Sequence, residues 1–332
     1  MTGKKPILSI FLAVLTLASF GCGFSFTMDP EATATETALP TSTDLPPSPT
    51  VPSPTSLPAD TASPTLPPPT STSIIPTATA PVSRVTPGIP SGPYAVILVS
   101  PGDVLNIRSA AGAGNPIVGS FGPTATNVMR TGPSARVGDS LWVEVQRPGG
   151  TGWVNSHFLT EYVSASAYCA DSQVTTLFNS LETALLNSNG DLLANLSSPL
   201  HGLDLRLWRY GTLVNYDRQQ ARFLFESSFQ VNWGPAPGSG ENTLGSFSQA
   251  VLPKLAEVFG AEYQLHCNDT LDLATFSLVP WPPEYANINF HAVHKPGTET
   301  YGGLDWRTWL AGVEYVNGKP YIFSLIHFQW EP

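Results

Sequence analysis

The sequence predicts a multidomain chain in which a small all-β barrel is followed by an α+β domain with a C-terminal antiparallel sheet. Three features of the sequence support this prediction. Short apolar runs separated by glycine recur between residues 94 and 162, a pattern typical of a small barrel. A helical apolar period follows residue 171, and alternating strands end the chain, which favours α+β. A tract rich in Pro, Thr and Ser precedes both modules.

The chain begins like an exported protein. Lys4 and Lys5 precede an apolar stretch at 7–20 that suits a signal-peptide core and is shorter than the ~20 apolar residues of a membrane-spanning helix. Ser19-Phe20-Gly21-Cys22 resembles the bacterial lipoprotein box, in which the cysteine is lipidated and becomes the new N-terminus. The resemblance implies that residues 1–22 are a leader and that Cys22 carries a lipid anchor. Cleavage by the ordinary signal peptidase and an uncleaved N-terminal anchor remain alternatives.

Residues 23–92 predict a disordered stalk. Pro, Thr and Ser dominate the tract and aromatic residues are scarce, so it cannot bury enough apolar surface to offset chain entropy. Proline-rich chains favour polyproline II at about 3.1 Å per residue, so the stalk could reach on the order of 200 Å. We interpret it as a plain spacer, with a glycosylated stalk as the alternative. These features together predict an exported protein anchored at the outer face of the cell membrane.

Composition narrows the partners of the protein. The formal net charge is −10 and only 12% of the residues are charged, which gives a phosphate-binding surface little support and disfavours nucleic acid as a partner. Cys22 belongs to the leader, which leaves Cys169 and Cys267 as an even pair in an oxidising compartment. We expect these two cysteines to form a disulfide, with two free buried thiols as the alternative.

Residues 93–163 form the first predicted module. Strands are expected at 95–99, 105–108, 117–121, 127–130, 141–146 and 152–154. Four motifs follow one another: Leu105-Asn106-Ile107-Arg108-Ser109, Pro116-Ile117-Val118-Gly119, Leu141-Trp142-Val143-Glu144-Val145 and Gly152-Trp153-Val154-Asn155-Ser156-His157-Phe158-Leu159. With these motifs in this order, the module resembles a bacterial SH3 domain, a resemblance that covers nearly all of 94–162.

The resemblance implies an SH3-like barrel that binds cell-wall peptidoglycan or another extended peptide on one face. We place Arg108, Asn115, Trp142 and Trp153 on that face. Both tryptophans have two possible roles, because a large amphipathic ring serves equally in barrel packing and as a stacking surface. The chain departs from the family at Asn115, where relatives often carry an aromatic ring, and at 131–140, which lengthens a loop.

Residues 168–332 form the predicted α+β domain. Asp171 or Ser172 caps a helix with apolar positions from 174 to 185, and Asn189-Gly190 predicts its end. Further helices are expected at 191–196 and 246–259, with Pro253 inside or in the first turn of the latter, and strands at 223–233, 286–294, 309–316 and 321–330. Asn317-Gly318 predicts a hairpin between the last two strands. The order of elements resembles the cone-shaped nuclear-transport-factor-like fold, at the level of fold alone.

No motif in this domain brings a nucleophile or a metal together with an acid or base. His291 and His294 lie three residues apart in a predicted strand and therefore point to opposite faces, which disfavours a shared metal. The carboxylates near predicted strands show no pairing signal and are interpreted as solvated or ion-paired side chains: Asp204, Glu226, Asp305 and Glu314. We therefore assign no catalytic residue, metal or cofactor, and an enzymatic activity is disfavoured but left open.

The sequence favours a cell-surface lipoprotein whose SH3-like module binds envelope or peptidoglycan material, or an extended peptide, and which presents a C-terminal binding domain. The alternatives are a cell-wall hydrolase targeted by its SH3-like domain and an extracytoplasmic sensor or scaffold protein. Paired carboxylates or a Ser/His/Asp cluster in one cleft of the last domain would favour the hydrolase. An exposed aromatic groove without titratable groups would favour binding.

Overall fold

The computed structural model describes residues 92–273 and 281–331. The predicted leader, Cys22 and the stalk up to residue 91 lie outside the described residues. The described chain forms a first module around a five-stranded sheet and a second, α+β module around a six-stranded sheet. Every helix in these two ranges is too short or too polar to span a lipid bilayer.

The first module is built from seven strands. They are β1 Tyr94–Val96, β2 Leu105–Arg108, β3 Ile117–Phe121, β4 Arg130–Val137, β5 Ser140–Arg147, β6 Gly150–Asn155 and β7 Leu159–Glu161. β1 pairs with β7, and the others form one antiparallel sheet in the order β3-β2-β6-β5-β4. Ile107 and Val154 alternate with half-buried residues and, like the buried Val143, point into the core, as period-two strands require. Among the described residues β3 and β4 stay at opposite edges, so hydrogen bonding does not close a barrel.

The expected loop at 131–140 is wrong over most of its length. β4 runs through it as far as Val137 and pairs with β5, with an irregularity in register between Arg130 and Ser134. The hairpin turns at Gly138, whose φ of 59° lies in the left-handed region where glycine is favoured. Most residues of β4 are exposed or half-buried, so the strand lacks the apolar alternation that would have predicted it.

Among its described residues, the second module contains five α-helices and eight strands. They are α1 Ala165–Cys169, α2 Ser172–Leu186, α3 Gly190–Leu196, β8 Leu203–Arg206, β9 Leu213–Tyr216, α4 Arg218–Arg222, β10 Val231–Pro235, β11 Asn242–Gly245, α5 Leu252–Phe259, β12 Gln264–Cys267, β13 Asn289–Lys295, β14 Arg307–Val316 and β15 Lys319–Gln329. The main sheet has the order β12-β13-β14-β15-β8-β9, and β10 pairs separately with β11. Its C-terminal strands are antiparallel as expected, but β15 and β8 are parallel, so the sheet is mixed.

In the second module, some of the predicted helix ends and turns are correct and others are wrong. The side chain of Asp171 accepts a hydrogen bond from the Gln173 N–H and caps α2, as predicted. Asn317 and Gly318, with φ values of 54° and 70°, form the predicted turn between β14 and β15. Asn189 does not end α2; instead its side chain caps α3.

The strand expected at 223–233 is largely wrong. An Asp217 and Gln220 capping box starts α4, which ends at Arg222, and β10 begins only at Val231. Pro253 lies in the first turn of α5, directly after a wider helical turn at Phe247–Val251. Proline has no N–H to donate into the preceding turn, so this position suits it.

The predicted disulfide is confirmed. Cys169 at the end of α1 is bonded to Cys267 at the end of β12, with their Cα atoms 5.8 Å apart. Because structural disulfides persist in oxidising compartments, the bond supports an extracytoplasmic location.

The main sheet of the second module buries both of its faces. Phe178 of α2 and Leu255 of α5 pack on one face, in the same apolar cluster as Trp309 of β14. The other face carries a second cluster around Tyr285 and Phe323, which also contains Ile97 of the first module. A buried side chain of the first module is thus part of a core of the second.

Hydrogen bonds to backbone carbonyl oxygens reinforce this junction. The Leu98 N–H donates to the carbonyl oxygen of Glu284 at 2.8 Å. The side-chain amide of Asn287 donates to the carbonyl oxygen of Val96, also at 2.8 Å. The two modules therefore pack through both apolar and polar contacts, and side chains from both can contribute to one site.

Candidate functional site

The face of the first sheet turned away from its core carries three of the four predicted binding residues: Arg108, Trp142 and Trp153. Arg108 of β2 lies opposite Trp153 of β6, and Trp153 lies opposite Glu144 of β5. Two residues further along the same strand pair, Trp142 lies opposite Asn155. These residues alternate with the core positions, so period two places them together on the outer face.

A cleft of about 340 Å³ lies along this face, and we name it the Trp142 cleft. Arg108 and Trp142 both line it, together with Asn155 and Phe158. Only 7% of the surface of Trp142 is exposed. Its ring therefore forms a largely buried wall of the cleft. It is not the exposed platform that was one of its two expected roles.

The four predicted binding residues have different positions. Arg108 and Trp142 share the Trp142 cleft. The carbonyl oxygen of Asn115 accepts a hydrogen bond from Nη1 of Arg108 at 2.7 Å, while its side-chain amide donates to the carbonyl of Ala111 at 2.8 Å. Asn115 therefore orients Arg108. Trp153 is half-buried beside Arg108 on the same face.

A second cleft, of about 440 Å³, lies where the two modules meet, and we name it the junction cleft. Its lining comprises Arg136, Asp139, Ser140, Leu141, Asn155, Ser156 and His157 of the first module and Pro199, Leu200 and His201 of the second. Asn155 lines both clefts, so they adjoin at this residue. We call the two together the two-cleft groove.

A buried polar cluster lies behind the junction cleft. Nδ1 of His201 is 2.7 Å from a carboxylate oxygen of Glu314, and the hydroxyl of Ser198 donates to the other oxygen. Nε2 of His201 is 3.0 Å from the carbonyl oxygen of His157 in the first module. The Ser198 hydroxyl accepts from the N–H groups of Leu200 and His201 at 3.0 and 2.9 Å. The cluster therefore connects β14, the segment before β8 and the first module.

Asp204 extends this cluster. Its carboxylate accepts hydrogen bonds from the Asn215 amide at 2.8 Å and from the Tyr285 hydroxyl. Burial raises the pKa of Asp204 above its usual value. Burial and the neighbouring Asp204 together raise the pKa of Tyr285, which therefore stays protonated as the donor. Burial alone would lower the pKa of His201, but its hydrogen bond to Glu314 and the charge of that carboxylate raise it.

Ser198, His201 and Glu314 have the composition of a nucleophilic triad but not its connectivity. In such a triad the histidine accepts the proton of the serine hydroxyl and is oriented by the carboxylate. Here the Ser198 hydroxyl donates to Glu314, and Nε2 of His201 faces a carbonyl oxygen that can only accept. Asp204 already uses both of its oxygens. The arrangement is that of a buried, hydrogen-bonded ion pair.

The remaining candidate side chains lie apart from the groove. Nδ1 of His291 is 2.7 Å from the Tyr168 hydroxyl, whereas Nδ1 of His294 is 2.8 Å from the Thr308 hydroxyl on the other face of the sheet. Burial lowers the pKa of His291 to about 4. Within residues 92–273 and 281–331, His, Cys, Asp and Glu side chains do not gather in groups of three or more that could hold a metal ion. Among the other carboxylates, Glu226 is exposed and Asp305 accepts hydrogen bonds from Thr298.

The two-cleft groove is the candidate binding site. The sequence located Arg108 and Trp142 because they lie in short motifs of one module. It missed the junction cleft because His157 and His201 are brought together only by the packing of the two modules. No protein family model, curated protein or solved structure matches this chain.

Proposed function

We propose that this protein is an exported envelope protein that binds an extended polar ligand, such as a stretch of wall peptide, in the two-cleft groove. One observation carries the proposal: the cleft that holds Arg108 and Trp142 adjoins, at Asn155, a cleft completed by the second module. An extended ligand needs adjoining subsites with an aromatic wall and polar groups to orient it. The two clefts supply an indole, two arginines and several amide and hydroxyl groups.

The folds of the modules support this proposal without adding an activity. The order of the four motifs and the five-stranded antiparallel sheet support an SH3-like module, with a sheet that hydrogen bonding leaves open between β3 and β4 in the described residues. SH3 folds take extended ligands. The strand order of the second module, with α2 and α5 on one face, is consistent with a nuclear-transport-factor-like fold. A fold hosts many functions, so the groove and not the fold carries the proposal.

The proposed location follows from the N-terminal sequence and the disulfide. We propose that Cys22 is lipidated and anchors the chain to the outer face of the membrane, with residues 23–92 as the stalk. Incorporation of labelled palmitate should then be lost in Cys22→Ser. Labelling that persists in this variant, or that never occurs in the wild type, would contradict the anchor.

The binding test is co-sedimentation of the purified protein with purified sacculi. Replacing Arg108 by Gln removes a charged donor from the groove, so we expect affinity to fall about tenfold, as for loss of a charge-assisted hydrogen bond. Trp142→Phe keeps most of the apolar volume but reshapes the wall, and we expect a smaller loss. Arg147→Gln is the matched control, because Arg147 contacts its own hairpin at the opposite end of β5.

The outcomes separate the parts of the proposal. Equal weakening by Arg108→Gln and Arg147→Gln would mean that the effect is general charge and that the groove is not the site. Absence of wild-type binding to sacculi would refute wall material as the ligand. Release of soluble fragments from the sacculi during incubation would favour the hydrolase alternative instead.

A further inference from the structure

We infer that His201, held by Glu314 and Ser198, is a positioning residue that fixes the wall between the two clefts, and that it does so only while both of its ring nitrogens carry a proton. Binding in the two-cleft groove should then weaken as the pH rises. The positioning itself stands on the contacts of His201. The effect on binding rests, in addition, on the proposed function.

The wall in question is Asn155 and the turn Ser156–Phe158 that follows it. Asn155 lines both clefts, His157 lines the junction cleft and Phe158 lines the Trp142 cleft. Within the first module, the Asn155 side chain accepts from the His157 N–H at 3.0 Å. From the second module, Nε2 of His201 reaches the carbonyl oxygen of the same His157. His201 thus ties the turn to the second module at the point where the clefts adjoin.

The identity of the partners fixes where the protons are. A carbonyl oxygen only accepts, so Nε2 of His201 must donate to His157. One oxygen of the Glu314 carboxylate accepts from the Ser198 hydroxyl, and the other lies within hydrogen-bond distance of Nδ1 of His201. This second contact also needs a proton between the two atoms. A neutral imidazole carries a proton on only one of its two nitrogens. Beside an ionised carboxylate it can therefore make only one of the two hydrogen bonds. When the second proton leaves, either His157 or Glu314 loses its hydrogen bond to the ring.

Three ionisable groups face His201, and the two carboxylates among them favour its charged form against the effect of burial. Glu314 on β14 and Asp204 on β8 both raise the pKa of His201. His157 on the turn has its own pKa lowered by burial and by the nearby His201, so it stays neutral near neutral pH. A raised pKa in the folded protein means that the link is complete below about pH 6.5, the ordinary histidine value, and is lost as the pH rises through the folded-state pKa.

The buried environment makes the loss of one proton consequential. Only 8% of the surface of His201 and 1% of that of Glu314 are exposed, so water cannot readily replace the missing hydrogen bond. The turn would then be free to move relative to the second module. A ligand that spans both clefts needs their relative position to be fixed, so its affinity should fall with the same pH dependence.

The first test needs no ligand. Long-range ¹H–¹⁵N NMR spectra of the histidine rings should show both nitrogens of His201 protonated at about pH 6, with a single titration above the ordinary histidine value of about 6.5. His157 should titrate below the ordinary histidine value. An unprotonated His201 nitrogen at about pH 6 would overturn the inference, whatever the protein binds.

The second test is the pH profile of sacculus binding. Wild-type affinity should fall about threefold or more between about pH 6.5 and about pH 9.5, whereas His201→Gln should bind with a flat profile, because the amide can still donate but does not titrate. His266→Gln is the matched control, since His266 lies on β12 outside both clefts, and it should keep the wild-type profile. If His201→Gln does not fold, Glu314→Gln replaces it and should move the fall in affinity to lower pH.

These outcomes can be told apart from failure of the proposed function. A pH-dependent fall that survives in His201→Gln, or one abolished by His266→Gln, would overturn the role of His201. If the wild type binds no sacculi at any pH, the proposed ligand is wrong, and the NMR titration alone decides the positioning role.

Discussion

Two carboxylates, one in each module, are held in similar ways but in different surroundings. Glu144 of the first module is half-buried on the outer face of its sheet and accepts hydrogen bonds from the hydroxyls of Thr131 and Thr151. Glu314 of the second module is buried and accepts from the hydroxyl of Ser198 and the ring of His201. Both lie on central strands and both have two side-chain donors. They differ mainly in their access to water.

This difference determines what each group can do. When a carboxylate near water loses a hydrogen-bond partner, water takes the place of that partner. Its contacts therefore contribute little to stability, and its face of the sheet stays accessible. A buried carboxylate has already lost its hydration, and its partners must replace it in full. The polar groups on the outer face of the first module therefore stay accessible to solvent, whereas those of the second hold the molecule together.

The strongest test of this comparison is to remove each carboxylate. Glu314→Ala should lower the free energy of unfolding by about 3–5 kcal/mol at about pH 6, because it leaves the charged ring of His201 buried without its partner. Glu144→Ala, the matched change on the exposed face, should lower it by about 1 kcal/mol or less. Urea denaturation of both variants measures the two values. Similar losses would mean that burial is not what separates the two sites.

The disulfide tests whether the second module is stabilised within itself. The bond closes a loop with a sequence separation of 98, all of it in the second module. Removing it with Cys169→Ala and Cys267→Ala together should lower the free energy of unfolding by about 2–4 kcal/mol, chiefly because the unfolded chain gains entropy. Reduction of the wild type with a thiol should give the same loss. Unchanged stability after reduction would contradict this prediction.

The same contrast explains how much of the fold the sequence predicts. The Asp171 cap, the Asn317-Gly318 turn and most first-module strands depend on residues close together in the chain, and the sequence signals them. β8 is four residues long, with Asp204 and Arg206 on one face, and it forms a strand because it pairs in parallel with β15. No local pattern carries that pairing, so the mixed sheet was predicted as antiparallel.

The candidate site also contains some residues that local sequence motifs identify and others that they do not. Arg108 and Trp142 stand in motifs of a single module, and the sequence placed them on one face. Glu314 was singled out only as a carboxylate near a strand, since its partners Ser198 and His201 lie more than a hundred residues away along the chain. The physical signal for such a cluster is the burial of several polar groups at once. Burial of this kind becomes visible only after the two modules are packed.

Acid should destabilise the second module through the buried His327. Burial lowers the pKa of His327 to about 3, and its Nδ1 is 3.1 Å from the carbonyl oxygen of Leu207. A lowered folded-state pKa means that the unfolded chain takes up the proton first, so stability is present above about pH 6.5 and falls below it. Between about pH 6.5 and about pH 5 this histidine should contribute a loss of about 1.5 kcal/mol.

The measurement is the free energy of unfolding against pH, with His327→Gln as the variant that no longer titrates. The variant should be less stable at neutral pH but should lose less on acidification than the wild type. His157→Gln is the comparison variant from the first module, because the pKa of the exposed His157 is lowered in the same direction as that of the buried His327. It should reduce the acid slope by less than His327→Gln does. A steeper acid slope in His327→Gln would contradict the assignment.

The smallest expected effect is at a contact that links the modules but remains near water. The carboxylate of Glu161, at the end of β7, accepts hydrogen bonds from the N–H groups of Asn317 at 2.6 Å and Gly318 at 2.8 Å, in the turn between β14 and β15. Glu161→Gln keeps one acceptor oxygen and removes the charge, so the free energy of unfolding should fall by about 1 kcal/mol or less. Glu262→Gln, at an exposed position, is the matched control and should lie within about 0.5 kcal/mol of the wild type. Both values come from urea denaturation at neutral pH. A loss at Glu161 as large as that at Glu314 would mean that a junction contact open to water is as strong as a buried one, and the distinction between the two regions would then have to rest on something other than burial.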